Sequence, residues 1–186
     1  RALADDPDVV LIGEDIGVNG GVFRATAGLQ QRFGALRVQD TPLAEGLIGG
    51  MAVGMASQGL KVVAEIQFMG FVYPALDQIA NHMVRLRNRT RGRLTCPVVM
   101  RMPHGGGIHA PEHHSESLEV LLAHHAGLRV LCPSSPARAY GLLLAAIRDP
   151  DPVMFLEPTR LYRLAKQDVL DDGKALPLDQ AVVLRE

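Results

Sequence analysis

Residues 43–66, LAEGLIGGMAVGMASQGLKVVAEI, contain the two kinds of element that decide the fold. Residues 43–57 are apolar or small almost throughout and are long enough to predict a helix. Residues 62–66, VVAEI, form a short run rich in β-branched side chains, which is typical of a strand buried on both faces. The segment therefore predicts a helix that leads into a buried strand.

The same alternation continues along the rest of the chain. Short β-branched runs predict six strands, at residues 9–13, 37–39, 62–66, 97–102, 129–132 and 153–157. Helices are predicted between them, at residues 28–33, 43–57, 73–89, 118–123 and 136–148. Repeated strand-helix units predict an α/β fold with a mostly parallel six-stranded sheet and helices on both faces.

Composition excludes several classes of protein. The chain has 186 residues and is 47% hydrophobic, which suits one well-buried core and argues against a mainly disordered protein. Its 19 Lys and Arg balance 20 Asp and Glu, and no stretch combines basic with aromatic residues. We therefore expect no nucleic-acid or membrane partner. The longest uncharged apolar run, residues 46–57, is shorter than the roughly 20 residues of a membrane span.

The two cysteines and the chain ends carry further expectations. Cys96 and Cys132 each precede a proline and form no metal-ligand spacing, so we expect buried thiols in a reducing compartment. Beyond residue 158 the pattern weakens, and residues 171–174, DDGK, are typical of a linker. The chain starts without Met and ends in an apolar run, so we expect a piece of a longer protein.

Glu45, in the motif Asp40-Thr41-Pro42-Leu43-Ala44-Glu45-Gly46, is the main chemical candidate. Thr41 can cap the helix that follows, and Pro42 suits its first position, which places Glu45 in the first turn. Glu45 then either stabilises the helix dipole or supplies a carboxyl group, at the edge of a buried element, for acid-base chemistry. The residues alone leave both interpretations open.

Three glycines, Gly46, Gly50 and Gly54, recur every fourth residue and line one face of this helix. Because glycine costs about 1 kcal/mol relative to alanine in a helix, three in register indicate a close contact. Packing within the domain and a subunit interface both explain it, and we favour the interface.

Four histidines lie between two predicted elements, namely His104, His109, His113 and His114. Only His109 and His113 have the four-residue offset of helical metal ligands, and Pro111 interrupts the segment between them. The spacing therefore predicts no metal site. A loop histidine that follows a strand is well placed for proton transfer, because open α/β sheets bind ligands at the carboxyl ends of their strands. The glycine runs at residues 17–21 and 105–107 lack nucleotide-binding spacing.

The sequence resembles the beta subunit of 2-oxo acid dehydrogenases, the decarboxylating components of the pyruvate and branched-chain complexes, which depend on thiamine diphosphate. The resemblance begins with the Glu45 motif, Ala64-Glu65-Ile66-Gln67-Phe68 and Pro74-Ala75-Leu76-Asp77-Gln78-Ile79. It continues in order through Arg101-Met102-Pro103, Gly105-Gly106-Gly107-Ile108-His109, His114-Ser115, Pro133-Ser134-Ser135-Pro136, Asp151-Pro152-Val153-Met154-Phe155-Leu156-Glu157-Pro158 and Leu161-Tyr162.

This resemblance implies a pyrimidine-binding domain over residues 1–160, followed by a linker, residues 161–186, towards a C-terminal domain. It implies an enzyme that oxidatively decarboxylates a 2-oxo acid, pyruvate or branched-chain, and transfers the acyl unit to lipoamide. Thiamine diphosphate would be the cofactor and supply the difficult chemistry.

The resemblance also implies roles for individual residues. Glu45 would hydrogen-bond a ring nitrogen of the cofactor's pyrimidine and drive the proton transfer that activates the thiazolium carbon. Leu43 and Gln67 would contact the cofactor, and Phe71 would hold the aromatic position over the pyrimidine. His114 would act near the substrate in proton delivery or lipoyl transfer. A structural K⁺ is possible near residues 96–99, 146, 149 and 151, where the match is imperfect.

The partners follow from a missing motif. The chain lacks the Gly-Asp-Gly and later Asn that hold the magnesium diphosphate. By resemblance, an alpha subunit would hold Mg²⁺ and the diphosphate, so that the active site forms at the interface of an α2β2 heterotetramer. A lipoyl-bearing acyltransferase would accept the acyl group. The bacterial cytoplasm or the mitochondrial matrix would be the compartment.

Two alternatives remain at this point. A transketolase-like carboligase half-site is less favoured, because those proteins usually carry both halves in one chain. A non-catalytic assembly module would need none of Glu45, Gln67, Phe71 and His114. Which 2-oxo acid is the substrate stays open.

Overall fold

A computed structural model describes residues 1–107, 109–164, 166–180 and 183. Its single sheet contains six strands, β1 (Val9–Gly13), β2 (Val38–Asp40), β3 (Lys61–Glu65), β4 (Val98–His104), β5 (Arg129–Leu131) and β6 (Val153–Pro158). The strand order is β2-β1-β3-β4-β6-β5, and each neighbouring pair is parallel. The predicted six-stranded sheet is confirmed, with every strand within two residues of its expected bounds.

Seven α-helices accompany the sheet in the described residues, α1 (Ala2–Asp5), α2 (Leu29–Phe33), α3 (Glu45–Ser57), α4 (Leu86–Arg89), α5 (Glu119–Ala123), α6 (Pro136–Arg148) and α7 (Leu161–Leu164). The sequence predicts no helix at α7. None of the helices in the described part of the chain is long and apolar enough to cross a membrane.

The helices form one layer on each face of the sheet, as predicted. Successive side chains of a strand point to opposite faces. In β1, Val10 and Ile12 therefore join a core with α3 and the segment after β3, whereas Val9 and Leu11 join a second core that includes residues of α1 and α6. Both faces of the central strands are buried, which explains why their sequences are continuously apolar rather than alternating.

Residues 73–89 do not form the single predicted helix. They comprise a 3₁₀ turn at Tyr73–Ala75, a π-helical segment at Gln78–Met83, and α4. Arginine side chains occupy two carbonyls of this region, because Arg85 Nε donates to the Ala80 oxygen at 2.9 Å and Arg89 Nη2 to the Asn81 oxygen at 2.6 Å. Pro74 lacks an amide donor, so a regular helix cannot run through it. The wider π turn still buries Ile79 and Met83.

The carboxyl ends of the parallel strands meet along one edge of the sheet. The chain leaves β1 towards β2 on one side and leaves β3 towards β4 on the other. Open α/β folds bind ligands at such a reversal of strand order. The register places Gly13 beside both Asp40 and Glu65, and Glu65 beside Arg101, so this edge gathers the residues that follow the central strands.

The two cysteines differ from each other. Cys96 is buried, as expected, and burial raises the pKa of its thiol to about 12. Cys132 is exposed, so the expectation of a second buried thiol was wrong. The reason is its position just past β5, which is the border strand of the sheet and is only partly buried.

Candidate active site

Helix α3 begins two residues later than predicted, at Glu45 itself. Its N-cap residue is Ala44, and no side chain caps it. Thr41 instead extends the strand ladder, because its amide donates to the Gly13 oxygen at 2.9 Å. The predicted capping role of Thr41 was therefore wrong. Its buried Oγ1 has no hydrogen-bond partner among the described residues, which leaves a polar atom at this edge for a ligand or water.

Glu45 is half-buried at the sheet edge, with its carboxylate in no hydrogen bond or ion pair of the described residues. Two residues earlier, Leu43 is 73% exposed. Both side chains are therefore accessible to a ligand at this edge of the sheet.

Glu14, which directly follows β1, is a second carboxyl group at this corner that the sequence analysis missed. Burial, then the charges of Asp15 and Glu45, raise the pKa of Glu14. Its position directly after a predicted strand was the available signal, because such residues reach the ligand-binding edge. Glu45 therefore lies close enough to a partly buried acid to influence its protonation.

The turn after β3 carries the aromatic part of the site. Gln67 and Phe68 follow the strand, and a 3₁₀ turn spans Met69–Phe71. His114 packs edge-on against Phe68 and Phe71, with ring centroids 4.6 and 5.0 Å away. The two aromatic rings are themselves 5.9 Å apart. The structure thus brings together Phe71 and His114, which the sequence placed 43 residues apart.

His114 is held in one tautomer by its own loop. Its Nδ1 lies 2.7 Å from the backbone oxygen of Glu112 and 3.1 Å from that of Pro111. Carbonyl oxygens only accept hydrogen bonds, so in the neutral ring Nδ1 carries the proton. The lone pair on Nε2 is then the group that can accept or relay a proton.

The glycine face of α3 packs largely within the domain. A Cβ atom on Gly46 would lie 3.2 Å from the Pro74 oxygen, so this glycine allows α3 to approach the turn that follows Phe71. Gly50 has only ordinary contact distances to Gln78, and Gly54 has no atom within 4 Å. Close packing inside the domain therefore explains Gly46, and only the Gly54 end stays free for the favoured subunit interface.

Gly70 fixes the distance between the aromatic turn and the histidine loop. A Cβ atom there would lie 1.9 Å from the His113 oxygen and 2.8 Å from Glu116 Cγ. We expect Gly70→Ala to displace the loop that carries His114 and to lower the free energy of unfolding by about 1 to 3 kcal/mol through overpacking. Urea unfolding would measure the loss, and NMR of the His114 ring would report its displacement from Phe68 and Phe71.

Gly54→Ala is the matched control. It is the same substitution, but no atom lies within 4 Å of the Cβ position at Gly54. It should stabilise α3 by about 0.5 to 1 kcal/mol, since alanine has the higher helix propensity. Equal effects of the two substitutions would contradict the close approach at Gly70.

A buried cluster of charges lies beneath the aromatic rings, and the sequence analysis assigned it no role. Arg101 Nη1 donates to Glu65 Oε2 at 2.7 Å, and its Nε and Nη2 donate to the two Glu157 oxygens at 2.6 and 2.8 Å. All three residues are at least nine-tenths buried. The sequence did carry a signal for the cluster, namely a charged residue in each of the apolar strands β3, β4 and β6. Charged residues are rarely buried without partners, so these three could have been expected to pair.

The electrostatics of the cluster are dominated by burial and mutual charge. Burial raises the pKa of Glu65, and Arg101 only partly offsets it. Burial also lowers the pKa of Arg101, but the two carboxylates outweigh it and raise the pKa overall. Arg101 therefore stays charged and joins the carboxyl ends of β3, β4 and β6.

Tyr162 and Phe23 connect this cluster to the aromatic rings. The Tyr162 hydroxyl donates to Glu157 Oε2. Its ring lies 4.8 Å from Phe23, whose ring lies 5.5 Å from Phe68. A continuous path of contacts thus links the ion cluster, through α7, to the ring that packs on His114.

The other loop histidines lie apart from this cluster of rings. His104 ends β4 and contacts Cys132, with Nε2 3.5 Å from Sγ, whereas His109 and His113 are exposed residues with positive φ. Among the described residues, no three His, Cys, Asp or Glu side chains converge as metal ligands would.

The place suggested for K⁺ has its carboxylates already paired. Asp151 Oδ1 lies 2.6 Å from Arg87 Nε, and Asp149 Oδ2 lies 3.1 Å from Arg129 Nε. Two guanidinium groups therefore balance the charges that a cation would meet there. These side chains therefore offer little free charge to a cation, and the K⁺ suggested on backbone carbonyls near residues 96–99 stays a prediction.

The sequence profile described as "Transketolase, pyrimidine binding domain" matches residues 1–165. The chain is 55% identical over 186 residues to a protein named pyruvate dehydrogenase E1 component subunit beta from Acholeplasma laidlawii. It is 53% identical over 184 residues to the protein of the same name from Bacillus subtilis.

These matches cover almost all of this chain but only part of each relative. They cover 100% and 99% of this chain, but only 57% of each relative. The chain therefore spans little more than half the length of the curated relatives it matches. A solved structure, a split-gene transketolase described as an inactive beta4 tetramer, aligns with a TM-score of 0.72 at 18% identity. That alignment covers 100% of this chain and 55% of the other, and it supports the fold alone.

Proposed function

The chain belongs to the transketolase pyrimidine-binding domain family, and from this membership we propose that it is the cofactor-activating part of a pyruvate dehydrogenase E1 beta subunit. The observation that carries the proposal is identity above half, from end to end, with beta subunits of that name. The reaction would be oxidative decarboxylation of a 2-oxo acid with acyl transfer to lipoamide.

The residues at the sheet edge fit the pyrimidine end of thiamine diphosphate. An aromatic ring, an apolar side chain and polar groups without partners in the described residues meet the needs of a flat heterocycle with ring nitrogens and an amino group. Phe71 and Leu43 would contact its faces, and Gln67 its polar edge. The unpaired Thr41 Oγ1 lies at the same edge and supports the fit.

Bound thiamine diphosphate would supply the nucleophilic carbon and the electron sink that decarboxylation needs. The work of this chain would then be proton handling and orientation. Glu45 would exchange a proton with a pyrimidine ring nitrogen. His114, with its Nε2 lone pair, would hold or deliver a proton beside the substrate. The rings of Phe68 and Phe71 would keep water away from that nitrogen.

We further propose an alpha subunit as the partner, in an α2β2 heterotetramer. A chain that supplies only pyrimidine contacts needs another polypeptide to hold Mg²⁺ and the diphosphate. Leu43, which is exposed just before α3, and Leu47, which is 45% exposed on α3, give this surface an apolar character that suits such a contact. A lipoyl-bearing acyltransferase would take the acyl group, and the bacterial relatives favour a bacterial cytoplasm.

Reconstitution tests the proposed activity. The full-length beta chain, mixed with its alpha partner, thiamine diphosphate and Mg²⁺, should release CO₂ from pyruvate and reduce a dye acceptor. Rates on pyruvate should exceed those on the branched 3-methyl-2-oxobutanoate, because the reported relatives carry the pyruvate name. Ketol formation from an added aldehyde without any oxidative product would support the carboligase alternative instead, and the beta chain without its partner should be inactive.

A further inference from the structure

A cavity of about 640 Å³ adjoins the aromatic rings and has no role in the chemistry described above. Its wall includes the apolar side chains of Val22, Phe23, Phe68 and Leu164, together with Arg160 and Arg163. No carboxylate lies among its described lining residues. The cavity thus combines an apolar wall with two positive charges.

Arg160 and Arg163 differ from the arginines whose charge is balanced by a carboxylate. Arg87, Arg101 and Arg129 each form an ion pair with a carboxylate. Arg160 and Arg163 are exposed and have no acidic partner within the described part of the chain. Arg160 directly precedes α7 and Arg163 lies within it. Both residues line the same cavity and can bind one anion together.

The backbone that carries Arg160 is anchored rather than loose. Thr159 is buried, its amide donates to the His104 oxygen at 3.1 Å, and its Oγ1 donates to the Gly105 oxygen, also at 3.1 Å. Gly107 lies close by, with its Cβ position 3.7 Å from Arg160 Cβ. These contacts fix the backbone from which the Arg160 side chain reaches the cavity.

One aromatic ring separates this cavity from His114. Phe68 lines the cavity and packs 4.6 Å from the His114 ring. An anion held by the arginines would therefore lie beside the reacting groups but not among them. That distinction matters for decarboxylation, because tight binding of the carboxylate at the reacting position would stabilise the ground state and slow its loss.

We propose that Arg160 and Arg163 capture the carboxylate of the incoming 2-oxo acid before it passes Phe68 to the reaction site. The identity of the anion rests on the proposed function. Guanidinium groups bind carboxylates through paired donors, and unpaired positive charges in a cleft raise the association rate of small anions. The apolar wall of the cavity accepts a short acyl chain.

The test uses the full-length beta chain assembled with its alpha partner, thiamine diphosphate and Mg²⁺. In the double variant Arg160→Gln/Arg163→Gln, we expect the KM for pyruvate to rise about tenfold, as loss of charged contacts implies, whereas kcat changes less than about twofold. The KM for thiamine diphosphate should stay the same. In the parent complex the pyruvate KM should rise with added NaCl, and this salt dependence should nearly vanish in the variant.

Direct binding of oxamate, an unreactive monoanion of similar shape, separates this inference from the proposed activity. Calorimetry should show about tenfold weaker oxamate binding in the double variant, and Arg160→Lys should retain part of the affinity because it keeps the charge. Arg91→Gln is the matched control, because exposed Arg91 precedes β4 and so lies towards the opposite edge of the sheet.

Several outcomes would overturn the capture role. These are oxamate binding that is absent from the parent complex, equal in the double variant, or equally weakened by Arg91→Gln. A raised KM for thiamine diphosphate with an unchanged pyruvate KM would assign the arginines to the cofactor instead. A complex that binds oxamate through both arginines but turns over no 2-oxo acid would contradict the proposed function and leave the anion site supported.

Discussion

Glu45→Gln should lower the rate of 2-oxo acid decarboxylation by the assembled enzyme by about 10²- to 10⁴-fold, the range typical of losing a general acid-base group. Glutamine has nearly the same shape and can still hydrogen-bond a ring nitrogen. It cannot exchange a proton with that nitrogen. The carboxylate has no ion pair or hydrogen bond among the described residues, so its removal should leave the fold intact.

The measurement is steady-state decarboxylation of pyruvate, with thiamine diphosphate affinity determined separately. We expect kcat to carry most of the loss and the pyruvate KM to change little, because the missing step is proton transfer. NMR titration gives an independent readout, since burial, then the charges of Asp15 and Glu45, raise the pKa of Glu14. In Glu45→Gln the pKa of Glu14 should therefore fall slightly but stay raised, because burial and Asp15 remain.

Asp8→Asn is the matched control for this charge removal. It also replaces one carboxylate by an amide, but exposed Asp8 precedes β1 and lies towards the opposite edge of the sheet. Its activity should equal that of the parent. Undiminished activity in Glu45→Gln would exclude Glu45 from the proton transfer, whereas a loss that extra thiamine diphosphate fully restores would limit it to binding.

The fold was largely readable from the sequence because parallel strands buried on both faces leave a strong local signal. The run at β1 is apolar throughout, and both cores use it, so its prediction needed no knowledge of its neighbours. Residues 73–89 were predicted less well. In this segment a backbone carbonyl can accept a hydrogen bond either from the next helical turn or from an arginine side chain, as the Asn81 oxygen does from Arg89. Hydrophobic periodicity does not encode that choice.

The sequence named Phe71 and His114 as site residues but did not predict that their rings touch. Their roles stay predictions. Glu14, Arg160 and Arg163 were missed, because their significance depends on which residues lie beside them in space. The prediction that Thr41 caps α3 was wrong because the Thr41 amide donates to the Gly13 oxygen. That hydrogen bond requires β1 and β2 to be neighbouring strands. Local motif rules cannot distinguish a cap from a strand extension without that pairing.

Arg101→Met should produce the largest loss of stability, about 3 to 5 kcal/mol, because it leaves two buried carboxylates without their shared partner. Glu65 and Glu157 flank Arg101 on adjacent strands, and all three side chains are at most 10% exposed. Methionine fills a similar volume, so lost packing contributes little. Equilibrium urea unfolding, followed by circular dichroism, would measure the change through the transition midpoint.

The loss should depend on pH in a defined direction. Without Arg101, burial and the charge of Glu157 raise the folded-state pKa of Glu65 further above the unfolded value of about 4.3. The folded variant then binds more protons than the unfolded chain, so its stability is retained below about pH 4.3 and is lost as pH rises through the raised pKa. Glu65 already has a raised pKa in the parent, which therefore follows the same trend more weakly.

Neutralising the stranded acids provides the decisive comparison. The triple variant Arg101→Met/Glu65→Gln/Glu157→Gln should regain most of the stability and lose the pH dependence, because buried ion clusters can be replaced by neutral groups at little cost. If the triple variant stays as unstable as Arg101→Met at every pH, lost packing explains the defect and the charges do not. If it recovers stability but His114 no longer packs on Phe68, the cluster acts mainly by orienting the rings, through the Tyr162 and Phe23 contacts that join them.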